Sequence, residues 1–152
     1  SRATRKQRKS VPSGCLAWRR VAVGMLELHG PSDSNTILAA NHLMASLTKH
    51  GLSAEAMELL EKTIPQAERA LGPDASTTLD LQWNYAFLSF GELLRSPFGE
   101  ATLKKEAQIK TDLADLLQRK RRVLGSTHPN VLHCQRALAR LPSVVSFLNK
   151  RG

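Results

Sequence analysis

The sequence predicts an all-α protein built from repeated helix pairs. Apolar residues recur at spacings of three and four along most of the 152-residue chain, and the strict alternation typical of β-strands is absent. A glycine-containing linker also recurs, as "HGPSDSNTIL" (29–38), "LGPDASTTLD" (71–80) and "LGSTHPNVL" (124–132). The intervals between Gly30, Gly72 and Gly125 are 42 and 53 residues, so the second exceeds the first by eleven. A fixed period of this length is the signature of a repeat architecture.

Aligning the three glycines brings similar residues into register. The aligned columns are Thr36, Thr78 and Val131; Ile37, Leu79 and Leu132; and Leu43, Tyr85 and Leu138. Three matching columns favour a true repeat over a chance recurrence of glycine.

The elements follow from this register in chain order. We predict a helix at about 14–29, helix pairs at 35–50 with 53–71 and 77–95 with 102–124, a helix from 129, and "LPSVVSFL" as a candidate C-terminal cap. Pro65 lies inside the second helix of the first pair, where it removes a helical hydrogen bond and predicts a kink or a break. The eleven extra residues predict an inserted loop near 95–103.

The linkers carry helix-end signals. Each glycine is expected at a helix C-terminus in left-handed geometry, and Pro129 belongs in the first turn of the next helix. Thr77 with Asp80 resembles an N-terminal capping box. His128 is then a structural residue of the linker. A zinc site at His128, His133 and Cys134 would need a fourth ligand and a ligand spacing typical of zinc sites, and the sequence offers neither. We therefore expect no metal and no cofactor.

These linkers resemble those of the tetratricopeptide repeats of the kinesin light chain family, which have Leu-Gly, His-Pro and Thr-Leu in this order. Leu124, Gly125, His128, Pro129 and Leu132 match that pattern, and so do Leu71, Gly72, Pro73, Thr78 and Leu79. Asn41 with Leu43, Asn84 with Ala86, and Leu138 with Ala139 match parts of the helix signature, whereas the first linker has His29 and Asp33-Ser34 at the matching places. The resemblance covers about 16–141 and implies an α-solenoid of antiparallel helix pairs, with about three repeats, partial at both ends.

The resemblance also implies where a partner would bind. In such an array the first helices of each pair line a concave groove. The positions that would face it are Asn41, Ala45, Lys49, Asp80, Trp83, Phe87, Phe90, His133, Arg136 and Arg140. Trp83, Phe87 and Phe90 form an aromatic stripe, which is either a partner anchor or is covered by neighbouring helices or by Phe98 of the inserted loop. An anchor role predicts that Trp83→Ala weakens binding without unfolding the protein.

Charge offers a second interpretation. Five of the nine net positive charges lie on Arg2, Arg5, Lys6, Arg8 and Lys9. Such a basic arm suits an anionic partner such as RNA or lipid head groups, resembles the end of a plastid or mitochondrial transit peptide, or is simply a solvated terminus. "RKRR" (119–122) is a weaker RNA candidate, since four consecutive helical residues point in four directions.

Function classes narrow accordingly. The sequence holds no phosphate loop, zinc-protease His pair, paired-cysteine motif or recognisable nucleophile, so catalysis is not expected. Two cysteines and the lack of a membrane-length apolar run favour a soluble intracellular protein, cytoplasmic unless an organelle imports it. Peripheral membrane association stays open.

Residues 1–13 are expected to form the basic arm, 14–141 the repeat domain, and 142–152 a cap or tail. The predicted function is a protein-binding scaffold, a structural or assembly subunit of a larger complex. The alternatives are an RNA-contacting subunit of a ribonucleoprotein and a cargo adaptor.

Overall fold

The computed structural model describes residues 11–151, and this part of the chain is all-helical. Its seven helices are α1 (Ser13–His29), α2 (Ser34–Lys49), α3 (Ser53–Leu71), α4 (Ser76–Arg95), α5 (Glu100–Leu124), α6 (Pro129–Ala139) and α7 (Val144–Arg151). The predicted all-α class is confirmed, and each predicted helix lies within two residues of its observed bounds. The basic arm predicted at 1–13 falls almost wholly outside the described residues.

Linkers of three or four residues join successive helices, each helix from α1 to α5 packs on the next one along the chain, and α7 packs on α5. Linkers this short make neighbouring helices antiparallel. None of the helices within residues 11–151 has the length and apolarity needed to cross a bilayer.

Two apolar clusters form the interior. The first joins α1, α2 and α3, with Cys15, Ile37, Leu47 and Leu60 at its centre, and it also takes in Leu81 of α4. The second joins α4, α5 and α6 around Leu79, Trp83, Leu113, Leu117 and Val131. Because α4 contributes to both clusters, it is the helix that connects the two halves of the interior.

The linker glycines have positive φ as predicted, but their geometry is not left-handed helical. Gly30, Gly72 and Gly125 have φ of 82°, 94° and 92° with ψ of 171°, 158° and 152°. This combination of positive φ and extended ψ is essentially restricted to glycine, whereas Asn and Asp also tolerate the left-handed helical region. The prediction of left-handed helical glycines is therefore wrong in ψ, because the chain turns into an extended linker and not into a further turn of helix.

The starts of the helices partly follow the sequence signals. Pro129 occupies the first turn of α6, and His128 Nδ1 accepts a hydrogen bond from the Asn130 N–H at 3.1 Å, so His128 is the cap of that helix. The predicted capping box of Thr77 and Asp80 is wrong. Helix α4 begins one residue earlier, after Ala75, with no side-chain cap, and Asp80 is used elsewhere.

The eleven extra residues of the second interval lengthen helices more than they lengthen a loop. Helix α4 has 20 residues against 16 in α2, and α5 has 25 against 19 in α3. The linker at 96–99 is only one residue longer than that at 50–52. The loop predicted near 95–103 is thus reduced to four residues, and Phe98, 51% exposed, does not cover the aromatic stripe.

One hydrogen bond repeats at the 42-residue interval. Thr36 Oγ1 donates to the Met25 carbonyl at 3.1 Å, and Thr78 Oγ1 donates to the Ala67 carbonyl at 3.4 Å. Donor and acceptor are both displaced by 42 residues, and the third member of the column, Val131, is buried without a hydroxyl. The recurring sequence therefore produces a recurring contact.

Two remaining expectations concern helix ends and Pro65. Helix α3 continues through Pro65 from Ser53 to Leu71, so the helix does not break there. In the segment predicted as a cap, Val144 is buried and its N–H donates to Glu106 Oε2 of α5 at 3.3 Å. The other oxygen of Glu106 forms an ion pair with Lys110 at 2.8 Å, so one carboxylate binds both Lys110 and the first residue of α7.

Candidate functional site

A recess of about 280 Å³ lies where α2, α4 and α6 meet, with one side chain of α5 in its wall. Five residues of the predicted groove line it, namely Asn41, Ala45, Asp80, Trp83 and His133. Residues from three helices that are distant in sequence thus face one cavity, and alternate helices of the chain supply them. We call this cavity the central recess.

Lys120 of α5 forms the wall of the central recess and is 1% exposed. Its Nζ donates to Asp80 Oδ1 at 2.6 Å, to Asn130 Oδ1 at 2.9 Å and to Cys134 Sγ at 3.5 Å. It also lies 5.6 Å from the centre of the Trp83 ring. An ammonium group has three N–H donors, so this network uses all of them, as a buried charge requires.

Sequence reasoning missed Lys120 because it belongs to "RKRR". The signal was nevertheless present: Lys120 follows Leu113, Leu116 and Leu117 at a spacing that continues their buried stripe. Aligning the glycines places it in the same column as Ala67 and Met25, whose carbonyls accept the repeated threonine hydrogen bonds. A lysine on the buried face of an amphipathic helix demands an internal partner, and Asp80 supplies it.

Cys134 contributes a buried thiol to the same network. Burial raises the pKa of Cys134, the nearby Lys120 ammonium opposes this rise, and the Asp80 carboxylate adds to it. The thiol is therefore held in its neutral form, which is a poor nucleophile and a poor metal ligand. Within residues 11–151 no three His, Cys, Asp or Glu side chains are grouped as metal ligands would be.

Asparagine amides supply the remaining polarity of the central recess. Asn41 Oδ1 is buried and has no hydrogen-bond partner among the described residues, and the half-buried Asn84 lines the same recess. Asn130 uses its Oδ1 for Lys120 and presents its amide group beside it. Amides donate and accept at once, which suits them to the N–H and C=O groups of an extended peptide.

The aromatic stripe divides between interior and surface. Phe90 is 2% exposed and Trp83 is 6% exposed, and both pack against neighbouring helices. Phe87 is half-buried and stacks on Trp83 with ring centroids 6.2 Å apart. Of the two alternatives, coverage by neighbouring helices describes Phe90 and most of Trp83. The expectation that Trp83→Ala would spare stability is therefore not met by its position, because Trp83 belongs to the second apolar cluster.

The basic members of the predicted groove are exposed. Lys49, Arg136 and Arg140 are exposed side chains outside the lining of the central recess, and His133 is exposed at its rim. "RKRR" does not form a basic patch, since Lys120 is buried and the Arg119 guanidinium donates to Asp74 at 2.9 Å and to the Pro73 carbonyl at 2.8 Å.

Two further grooves are equivalent to each other by the repeat. One of about 220 Å³ lies between α1 and α3 over α2, and one of about 440 Å³ lies between α3 and α5 over α4. We call them the α1–α3 groove and the α3–α5 groove. Adding 42 to the residue numbers of α1 and α2, and 53 to those of α3, converts the lining of the α1–α3 groove into that of the α3–α5 groove. The matching pairs are Arg19 with Glu61, Ala22 with Ile64, Val23 with Pro65, Ala40 with Gln82, Leu43 with Tyr85, Leu59 with Asp112, Lys62 with Asp115, Thr63 with Leu116 and Gln66 with Arg119.

No family model matches this chain, and a search of curated proteins finds no significant match. The assignment of the candidate site therefore rests on the geometry of its residues alone.

Proposed function

We propose that this protein is a tetratricopeptide-like α-solenoid scaffold that binds an extended segment of a partner protein across α2, α4 and α6. The observation that carries the proposal is the central recess, because alternate helices from successive units line it together. That is where a solenoid of helix pairs would present its concave surface.

The repeated contacts support the solenoid. The threonine hydrogen bonds recur at an interval of 42 residues, and the alignment of the linker glycines pairs the lining residues of the α1–α3 groove with those of the α3–α5 groove. Packing between successive helices is what a quasi-one-dimensional array requires. In this arrangement α1 completes the earlier, partial unit, and α6 opens the last one.

The chemistry of the recess supports a peptide partner. Asn41 Oδ1 in the recess has no hydrogen-bond partner among the described residues, and Asn84 lines the same recess. His133 and Arg136 are exposed on α6, and Arg140 is exposed just after its C-terminal end. Amides can bind the backbone of an extended segment, while the basic residues favour acidic side chains at one end of it. The internal pairing of Lys120 and Arg119 argues against RNA binding through "RKRR".

A photo-crosslinking experiment tests this function. A photoreactive amino acid replaces Ala45, an exposed residue lining the central recess, or Ala114, an exposed residue of α5 outside it, in the full chain expressed in its own cells. We expect Ala45 to capture one defined protein and Ala114 to capture none of it. Mapping the cross-linked peptide should give a single segment of the partner.

A matched pair of variants then separates binding from folding. Asn84→Ala should lower capture at Ala45 about two- to tenfold, as loss of one hydrogen-bonding group within an interface predicts, with little change in melting temperature. Gln108→Ala, an exposed change on α5, should leave capture unchanged. Capture that disappears with nuclease treatment would favour the ribonucleoprotein alternative, and equal capture at both positions would refute the recess as the binding surface.

A further inference from the structure

The α3–α5 groove holds acidic residues where the α1–α3 groove holds basic or aliphatic ones. Arg19 and Lys62 line the α1–α3 groove, and the alignment of the linker glycines pairs them with Glu61 and Asp115 of the α3–α5 groove. Asp112 adds a third carboxylate at a place where the α1–α3 groove has an aliphatic residue. Two grooves at equivalent places in the repeat therefore differ in the sign of their charge.

The three carboxylates have no cationic partner within residues 11–151. All three side chains are exposed, and none of the ion pairs in this part of the chain includes them. The one cation among the described lining residues is Arg119, whose guanidinium already donates to Asp74 at 2.9 Å and to the Pro73 carbonyl at 2.8 Å. A cleft lined by one sign of charge concentrates ligands of the opposite sign.

The surroundings of Tyr85 also reflect the negative charge of the groove. Tyr85 lines the groove, and its hydroxyl donates to Glu61 Oε1 at 3.1 Å. Burial raises the pKa of Tyr85, and the Glu61 carboxylate raises this pKa further by accepting the hydrogen bond and by its charge. A charge that disfavours a tyrosinate favours a cation bound beside it.

The rest of the lining is suited to a peptide. Ile64, Pro65 and Leu116 line the groove together with the acidic residues, and the groove has a volume of about 440 Å³. Apolar surface of this kind receives aliphatic side chains and the stems of Lys and Arg. Gln82 also lines the groove, and its Oε1 is buried without a hydrogen-bond partner among the described residues. Such an acceptor is costly to leave unpaired, and the N–H groups of a bound peptide are donors.

The α3–α5 groove and the central recess lie on opposite faces of α4. Gln82 and Tyr85 of this helix line the groove, whereas Asp80 and Trp83 line the central recess. At 3.6 residues per turn, these two sets of side chains point about 180° apart around the helix. An occupant of one site therefore leaves the other site free.

We propose that the α3–α5 groove binds a basic segment of a partner protein, in which Lys or Arg side chains flank an apolar one. Glu61, Asp112 and Asp115 pair with the cationic groups, and the apolar lining receives the side chain between them. The α1–α3 groove, with its basic lining, rejects the same segment. This binding goes beyond the function of the central recess and does not depend on it.

An NMR titration of the isotope-labelled full chain tests this binding. The probe is a heptapeptide with capped ends in which Lys, Leu and Arg alternate with Ser or Gly, so that the three side chains share one face of an extended strand. The control peptide has the same composition, reordered so that Lys and Arg lie on the face opposite to Leu. We expect the probe to shift the amide signals of Glu61, Gln82 and Asp115 to saturation, with weaker binding of the control peptide and of the probe at high salt.

Charge-neutral variants make the test specific. Asp112→Asn with Asp115→Asn should weaken probe binding about two- to thirtyfold, as the loss of two exposed ion pairs predicts. The control is Glu27→Gln with Glu100→Gln, which removes the same charge from exposed sites outside the groove and should leave the affinity unchanged. Circular dichroism checks that both double variants fold.

Three results would overturn the proposal. Unchanged Glu61 and Gln82 signals at millimolar probe would show that the groove does not receive a basic segment. Equal weakening by the two double variants would show that net charge, and not the α3–α5 groove, governs binding. Shifts of the same signals when the chain is concentrated without peptide would assign the groove to a second copy of this protein.

Discussion

Replacing Lys120 by Met probes the buried ion pair directly. Met retains an unbranched, apolar side chain of similar length but removes the ammonium group that donates to Asp80, Asn130 and Cys134. The variant therefore leaves the packing of the stem nearly intact and isolates the contribution of the charge.

The size of the effect follows from burial. Removing one partner of a buried ion pair destabilises a protein by about 3–5 kcal/mol, because the other charge is left unpaired. The Asp80 side chain is 30% exposed, so water recovers part of its solvation, and we expect a loss of about 2–4 kcal/mol. For a domain of this size that is a fall in melting temperature of roughly 5–15 °C.

The neighbouring residue provides the control. Arg119 also forms an ion pair from α5, but its partner Asp74 is 67% exposed, so Arg119→Met should cost less than about 1 kcal/mol. Urea unfolding followed by circular dichroism measures both variants. Changing Asp80 to Leu in the Lys120→Met background should recover part of the loss, because no unpaired charge remains. Equal losses for the Arg119 and Lys120 variants would refute the reasoning.

Three further outcomes are expected. Gly72→Ala should lower the free energy of unfolding by about 1–3 kcal/mol through backbone strain alone, and Gly72→Asn should be no more stable than Gly72→Ala. The control Gly24→Ala, inside α1, should raise the free energy of unfolding by up to about 1 kcal/mol. A clear advantage of Asn over Ala at Gly72 would contradict the extended ψ of this glycine. Trp83→Ala should cost about 3–5 kcal/mol in chemical unfolding, and a loss below about 1 kcal/mol would contradict its burial. The pKa of the Cys134 thiol is raised in the folded state, so the thiol stabilises the fold fully below its unfolded pKa of about 8.5, and this contribution is lost as pH rises through the folded pKa. Cys134→Ala should therefore weaken the fall in the free energy of unfolding above about pH 8.5, as measured by chemical unfolding at a series of pH values.

The helices could be predicted from sequence because their ends are marked by residues with strong backbone preferences. Glycine at positive φ and Pro129 in a first helical turn fix where the chain turns, so α3 was predicted at its observed bounds of 53–71. Position along the helix is then set by the apolar spacing. The placement of the eleven extra residues could not be predicted, because no glycine with positive φ marks the turn at 96–99.

The candidate site was predictable only in part, for a different physical reason. The resemblance to tetratricopeptide repeats places Asn41, Asp80 and His133 on one face of alternate helices, and these three residues do line the central recess. Periodicity does not say how far a side chain reaches between helices, so Lys120 was not singled out from the other basic residues of "RKRR". The sequence also left open whether Trp83 is exposed, since a residue at a groove position can still be covered by the adjoining helix, as Trp83 is.

Equivalent positions of the repeat differ in chemistry at two of the surfaces described above. Thr36 and Thr78 keep the same hydrogen bond, which holds successive helices at one spacing. At that fixed spacing Ala67 is matched by Lys120, and Lys62 is matched by Asp115. The first exchange places an ion pair beside the central recess, and the second replaces a basic residue of the α1–α3 groove with an acidic one in the α3–α5 groove. The repeated contact therefore supports a common architecture, while the exchanged side chains give each surface a chemistry that its repeat equivalent lacks. Unpaired or like charges in an interface weaken binding. A ligand that fits the charges of one groove should therefore bind its repeat equivalent less tightly.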